Sequence, residues 1–281
     1  MKICSMVVLY EPEEKEIANI LDYFDYVDKV YILDNSRKSQ EKIVKAILSK
    51  VYGHVNEKLE YIHFNKNIGL CKALNNGMKW AASEGFEWAL IMDEDSSFNT
   101  NIVEFYKSYI EKNNCDGIGV LAPIHLYDRS QERMFKGARD VSWAMTSGCF
   151  YNVNVFLKFH GFKEELFVDG LDIDYCYKIR RGGYRIVELA DASINHKPGE
   201  TRSFWFAGRE IKYGLASPWR YYMQARAIVW LIMNYHSLKE LARYGIKWGK
   251  VLFLFEDKKD YIKQMIRGTK EGITLWKLDR E

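Results

Sequence analysis

The sequence predicts an α/β protein with a doubly wound, mostly parallel sheet, and three observations carry that reading. Short apolar runs alternate with stretches of helical spacing four times before the chain reaches residue 95. The runs are near-continuous in Val, Ile and Leu, as strands covered on both faces are. Each run also ends in polar residues, which a parallel sheet gathers into one crevice at its carboxyl edge.

The elements follow in order. Ile3 to Leu9 is the first buried strand; Tyr10-Glu11-Pro12 breaks it, and Ile17, Ile20, Leu21 and Phe24 mark a helix over 13–24. Val27 to Leu33 is the second strand, ending in Asp34-Asn35-Ser36, and Lys42 to Lys50 the second helix. Leu59 to Phe64 is the third strand; after Asn67-Ile68-Gly69 a helix runs from Leu70 to about Ala82. Ala89 to Met92 forms a fourth strand that emits Asp93-Glu94-Asp95. A helix over 99–112 and a strand from Gly117 to Pro123 follow, then a polar loop from Asp128 to Asp140. Trp143 to Phe150 reads as a strand whose Thr146-Ser147-Gly148 lets a ligand approach the backbone. Tyr175 to Arg181 has helical character with Gly182-Gly183 as its stop, and strands over 186–189 and 192–194 lead to His196.

Composition excludes several classes. The 281 residues are 48% apolar and 28% charged, as folded domains are, and the net charge of +3 is too small to suggest nucleic acid. Five scattered cysteines without a C-x-x-C pair argue against a zinc site or disulfide framework and fit a reducing cytoplasm. The first strand begins at once, without a signal peptide, and no apolar stretch reaches the roughly 18–20 residues of a membrane span. Neither G-x-G-x-x-G after the first strand nor a P-loop occurs, which disfavours a dinucleotide oxidoreductase and a P-loop NTPase.

Two acidic clusters stand out. Asp93 and Asp95, one residue apart at a strand end, suit a divalent cation that also touches phosphate; the plainer alternative is an acidic turn in which Ser96 caps the next helix. The second cluster comprises Glu164, Glu165, Asp169, Asp172 and Asp174. Its last two members are also first-turn carboxylates of the kind a helix dipole favours. His196, just past a strand, is a candidate metal ligand.

These parts in this order resemble the inverting GT-A glycosyltransferases of family 2, and within them the bacterial rhamnosyltransferase-like branch. The resemblance rests on Val7 to Tyr10, Leu33 to Ser36, Asn67-Ile68-Gly69 with Ala73, Asn75 and Gly77, and Asp93-Glu94-Asp95 as the D-x-D element. It continues through Thr146-Ser147-Gly148, Gly161-Phe162, Phe167 to Asp174, Gly183-Tyr184, His196 with Gly199, and Arg220-Tyr221-Tyr222, covering the chain to about residue 275. Lys178 stands where many relatives have Arg, and Asp174 where the branch often has Glu.

The resemblance implies a GT-A catalytic domain over 1–216, with a nucleotide-binding half over 1–98 and an acceptor half over 99–216. It implies Asp172 as the base for the acceptor hydroxyl, with Asp174 and Asp169 as second choices or acceptor ligands. Asp95, Asp93 and His196 would hold Mg²⁺ or Mn²⁺. Tyr10, Asp34, Asn67, Gly69, Asn75 and Asp93 would bind the nucleotide. The donor would be a nucleotide sugar, dTDP-rhamnose or a UDP-sugar, and the acceptor a glycan or polyprenyl-linked glycan. A nucleotidyltransferase or a non-catalytic nucleotide-sugar-binding protein with the same fold are the alternatives; the first lacks its Gly-rich phosphate loop, and the second predicts a damaged acidic element.

The tail over 217–281 reads as a basic helical extension. From Arg220 onward 13 Lys or Arg face 7 Asp or Glu, so the excess gathers here. Lys239, Arg243, Lys247 and Lys250 recur near every fourth residue among Trp248, Leu252, Phe253 and Phe255, which suits an anionic membrane surface. An apolar face of this kind equally packs on the catalytic domain or on a second subunit in a homodimer. The overall expectation is a cytoplasmic enzyme, peripheral on the membrane.

Overall fold

The computed structural model describes residues 1–53, 57–98, 100–128, 135–195, 199–206 and 208–280. Strands β1 (Ile3–Leu9), β2 (Lys29–Asp34), β3 (Leu59–His63) and β4 (Trp88–Asp93) are mutually parallel in the order β3-β2-β1-β4. Strands β5 (Ser97–Phe98), β6 (Ile118–Leu126), β7 (Ala138–Val141), β8 (Cys149–Asn152) and β9 (Arg185–Asn195) extend the same sheet. There β8 runs antiparallel to both β4 and β6, while β6 and β9 are parallel. The parallel half therefore carries the predicted winding, and the second half is mixed.

Period-2 alternation sorts each strand between two core layers. Cys4, Met6, Val8, Tyr31 and Leu33 meet helices α4 (Leu70–Ser83), α6 (Val153–Lys158) and α7 (Leu171–Arg181). Ile3, Val7, Leu9, Val30 and Ile32 meet α1 (Glu14–Ala18), α2 (Leu21–Phe24), α3 (Glu41–Tyr52) and α5 (Ile102–Lys112). Runs that looked uniformly apolar are thus strands with both faces covered.

Several details depart from the sequence reading: β7 begins within the stretch expected as a loop over 128–140, and the strands expected over 186–189 and 192–194 are one strand, β9. The expected helix over 13–24 is broken into α1 and α2 at Asn19, whose side-chain amide donates to the Glu94 carbonyl oxygen at 2.8 Å. The strand expected from Trp143 begins only at Cys149: Gly148 takes φ +76°, and its N–H donates to the Ile91 carbonyl. A hairpin unread in the sequence, β10 (Glu200–Phe206) with β11 (Arg209–Leu215), forms a separate two-stranded ribbon.

The extension comprises α8 (Pro218–Tyr235), α9 (Leu238–Leu254) and α10 (Lys258–Leu278). Pro218 at the first helical position and the Ser217 side chain, which accepts from Arg220 N–H, start α8 cleanly. Its inner face lies on the body of the protein: Ala227, Trp230 and Leu231 join the layer containing α4 and α7. Each large side chain buried this way contributes about 1.5–3 kcal/mol. Helix α10 crosses α8 closely enough that a Cβ on Gly272 would lie 2.5 Å from the Arg226 carbonyl oxygen. Among the described residues, no helix is long and apolar enough to cross a membrane.

Candidate active site

Parallel pairing brings three strand ends side by side, with Asp93 opposite Val8 and Asp34 opposite Leu9. A cavity of about 900 Å³ opens there. Tyr10, Asn35, Asn67 and the Asp93-Glu94-Asp95 triplet line it, together with Asp169 and Asp172. Trp219, Arg220 and Gln224 of α8 and Tyr261 of α10 also line it. The two acidic clusters, distant in sequence, share one wall-to-wall space.

Each side chain is held by local structure. The Asp93 N–H donates to Ser147 Oγ at 3.0 Å, tying the end of β4 to the loop that carries Thr146, which also lines the cavity. The Glu94 carboxylate accepts the Tyr10 N–H at 2.9 Å. Burial pushes that carboxyl up to about 7, against the Tyr10 hydrogen bond and with the charges of Glu16, Asp95 and Asp93 adding to the shift. Asn35 spans the 67–69 turn, accepting from Ile68 N–H at 3.2 Å and donating to the Gly69 carbonyl at 3.4 Å. Gly69 at φ +88° is required there, because a Cβ would sit 2.6 Å from the Phe167 ring.

The second cluster is built from a 3₁₀ turn, Glu164–Leu166, followed by positive φ at Phe167 and Gly170, which turns the chain into α7. Asp169 is ion-paired to Arg220 Nη2 at 2.9 Å. Burial raises its pKa, opposed by Arg220 and Lys247. Asp172, in the first turn of α7, accepts the Ile173 N–H at 2.8 Å. Burial pushes its carboxyl up to about 6, and the Asp169 charge adds to this while Arg243 opposes it. Desolvation therefore prevails over the helix dipole, which alone would favour the anion.

Of the residues singled out from sequence, Tyr10, Asn67, Asp93, Asp95, Asp169 and Asp172 come together in the cavity. Four others sit behind its wall. The buried Asp34 carboxylate accepts from Ser36 N–H at 2.8 Å, Gln40 N–H at 3.0 Å and the Tyr61 hydroxyl. Gly69 shapes the turn. Asn75 bonds both the N–H and the carbonyl of Phe162, at 2.9 and 2.8 Å. Asp174 is buried between Lys178 at 3.0 Å and the Tyr235 hydroxyl at 2.6 Å. His196 lies outside the described residues. Sequence reasoning missed Trp219, Gln224 and Tyr261, whose only signal was membership of the basic helical extension.

The donor set fits a hard divalent cation in a specific way. Among the described residues no group of three or more His, Cys, Asp or Glu converges to hold a metal by itself. Asp93 and Asp95 supply two carboxylates to the cavity, which suits an ion that takes one or two carboxylates and completes its shell with substrate phosphates and water.

A mixed α/β sheet with an acidic strand end opening on such a cavity is the arrangement that the resemblance to GT-A sugar transferases implies. The chain belongs to glycosyl transferase family 2, which matches residues 14–178, more than half of its length. It is 24% identical to the dTDP-rhamnosyl transferase RfbF of Shigella flexneri over 296 residues, covering 96% of this chain and 95% of that protein. It superposes on S. aureus TarS 1-349 in complex with UDP with a TM-score of 0.61 at 18% identity, covering 98% of this chain and 89% of that one. Against the longer TarS chain it spans 50% of the length. GalNAc-T7 with UDP, GalNAc and Mn²⁺ gives a TM-score of 0.61 at 11% identity, covering 99% of this chain and 57% of that one. The protein is therefore a glycosyltransferase.

Proposed function

We propose that the enzyme transfers a sugar, rhamnose in first place, from a nucleotide-diphosphate donor to a glycan or lipid-linked glycan in cell-surface polysaccharide synthesis, with inversion at the anomeric carbon. The observation that carries this reading is the meeting of Asp93 and Asp95 with Asp169 and Asp172 across one cavity. The rhamnosyl relative, aligned over almost the whole chain, favours dTDP-rhamnose; a UDP-sugar is the second choice.

The roles follow from position. Tyr10, Asn35 and Asn67 at the ends of the parallel strands bind the nucleotide. Asp95 and Asp93 would hold Mg²⁺ or Mn²⁺, which when bound neutralises charge on the departing diphosphate. Asp172 accepts the proton of the acceptor hydroxyl as that oxygen attacks the anomeric carbon from the face opposite the diphosphate. The new C–O bond forms as the bond to the diphosphate oxygen breaks, in a single displacement. Asp34, Gly69 and Asn75 support the nucleotide half from behind the wall, and the free thiols of all five cysteines suit a cytoplasmic setting.

The test is a thermal-shift panel of nucleotide sugars with and without Mn²⁺. A donor at about 100 times its Kd stabilises the fold by roughly 2.7 kcal/mol. dTDP-rhamnose with Mn²⁺ is expected to give the largest shift, and Asp95→Ala to erase the Mn²⁺-dependent part. Absence of stabilisation by every nucleotide-diphosphate sugar would overturn the reading.

A further inference from the structure

Helix α9 has two faces with opposite fates. Its inner face is built into the molecule: Val251 is fully buried with Phe255 in a cluster with Tyr221 and Met265, and Lys247 Nζ donates to Gln224 Oε1 at 2.5 Å beside the cavity. Its outer face is bare. Leu238 and Phe253 are 80% and 81% exposed, and Leu241, Ile246 and Leu252 are exposed with them. At 100° per residue these five fall within an arc of about 140°. Only Ala242, Gly245 and Gly249 lie between them, and a Cβ on either glycine would meet nothing within 4 Å. Five of the sixteen exposed large apolar side chains among the described residues thus sit on one side of one 17-residue helix.

The charge of the helix says what covers that face. Lys239, Arg243 and Lys250 run along one border of the apolar arc. The single acidic residue of α9, Glu240, is buried, paired with Arg243 at 3.0 Å and hydrogen-bonded by the Tyr177 hydroxyl at 3.1 Å. Four Lys or Arg (Lys239, Arg243, Lys247 and Lys250) against the single Glu240 leave α9 with a net charge of +3 behind its apolar stripe. Antiparallel two-fold pairing with a second copy would set one net-positive helix against another. An anionic lipid surface answers all of it. The charged residues and the length of about 26 Å along the axis fit a helix lying in the interface, not spanning the bilayer.

We infer that the outer face of α9 is a membrane-docking surface that embeds in an anionic lipid leaflet. The cavity then stands one helix diameter, about 10–12 Å, from the lipid headgroups, because Lys247 on the opposite side of the same helix touches the cavity residue Gln224. A lipid-linked acceptor would meet the site without leaving the membrane surface.

The experiment is co-sedimentation of the full chain with phosphatidylcholine vesicles with and without phosphatidylglycerol. The protein is expected to pellet with the phosphatidylglycerol vesicles, with affinity about tenfold or more above that for phosphatidylcholine alone and falling with salt. The pair Ile246→Gln and Phe253→Gln, both exposed and outside the cavity, is expected to weaken binding roughly a hundredfold. Leu157→Gln, an exposed apolar residue on α6, serves as the control and leaves binding unchanged. Equal pelleting of the double variant, or no pelleting of the wild type, overturns the inference. So does a dimer by light scattering that the same pair dissociates, which would give the face to a second copy. Vesicle binding is read without donor or turnover, so it succeeds or fails independently of the sugar-transfer reading.

Discussion

Replacing Asp172 by Asn tests the assignment of the base, and the pH behaviour to expect follows from where the carboxyl sits. Burial in the cavity wall pushes it up to about 6, outweighing the Ile173 N–H that it accepts and the dipole of α7. A base with that pKa is about nine-tenths ionised at pH 7 and about one-tenth at pH 5, so wild-type kcat/KM should fall about tenfold over that interval. A carboxyl at the ordinary value of about 3.9 would lose only about a tenth of its activity there. The direction is fixed, because the base works only when deprotonated and activity must rise with pH. The stability contribution runs the other way. A raised folded-state pKa favours the protonated form, so this contribution is complete below the ordinary aspartate range and is lost as pH climbs through about 6. Nucleoside-diphosphate release at donor and acceptor well below saturation, followed across pH, reads the first effect as kcat/KM. Asp172→Asn should cost about 10²–10⁴ in kcat and flatten the acid limb, with nucleotide affinity by calorimetry nearly unchanged. An acid limb near pH 6 that survives the substitution, or affinity lost in step with kcat, would refute the assignment.

Two further outcomes separate support from chemistry. Asn75→Ala strands the buried N–H and carbonyl of Phe162, at about 1–3 kcal/mol each, so thermal denaturation should show a clear loss while nucleotide affinity below the transition stays near wild type; unchanged stability with weakened nucleotide binding would put Asn75 in contact with the donor instead. Gly272→Ala gains about 1 kcal/mol of helix propensity but sets a Cβ 2.5 Å from the Arg226 carbonyl oxygen, and overpacking of that kind costs about 1–3 kcal/mol. The contact is with backbone, which cannot swing aside, so a net fall in Tm is expected, and a rise would show that α8 and α10 separate easily.

The parallel half was legible because β1, β2 and β4 are covered on both faces and so read as apolar runs bounded by turn residues, with β3 at the edge only partly buried. Register then did the remaining work: placing Asp93 opposite Val8 and Asp34 opposite Leu9 gathers the strand ends without further information. What sequence does not show is which member of a polar motif faces the cavity. Asp34 and Asn35 are adjacent, yet the aspartate is consumed by Ser36, Gln40 and Tyr61 while the asparagine lines the space. Asp172 and Asp174 likewise sit two positions apart on α7, about 200° around the helix, so one meets the cavity and the other meets Lys178 and Tyr235. The β10–β11 ribbon was invisible because it lies outside the main sheet and carries charged residues through both strands. On α9, the residues that looked alike in sequence divide: Trp248 and Phe255 pack inward and Leu252 and Phe253 face out.

The tail also changes the electrostatics of the catalytic half. The cations that oppose the burial of Asp169 are Arg220 from α8 and Lys247 from α9. Lys247 is itself pushed down to about 8 by burial, with Asp169 holding it up. Asp169 in turn raises Asp172, while Arg243 of α9 pulls it down. Three cations from beyond residue 217 therefore act on Asp169 and Asp172, the two α7-side carboxylates that line the cavity. Burial raises the Asp172 carboxyl first of all, and Arg243, from beyond the region that the family match covers, pulls it back. Helices α8 and α9 belong to the site in the chemical sense, and the same α9 that carries Lys247 and Arg243 offers its other face to solvent. Any event that shifts α9, lipid docking included, thereby acts on the charges around Asp172.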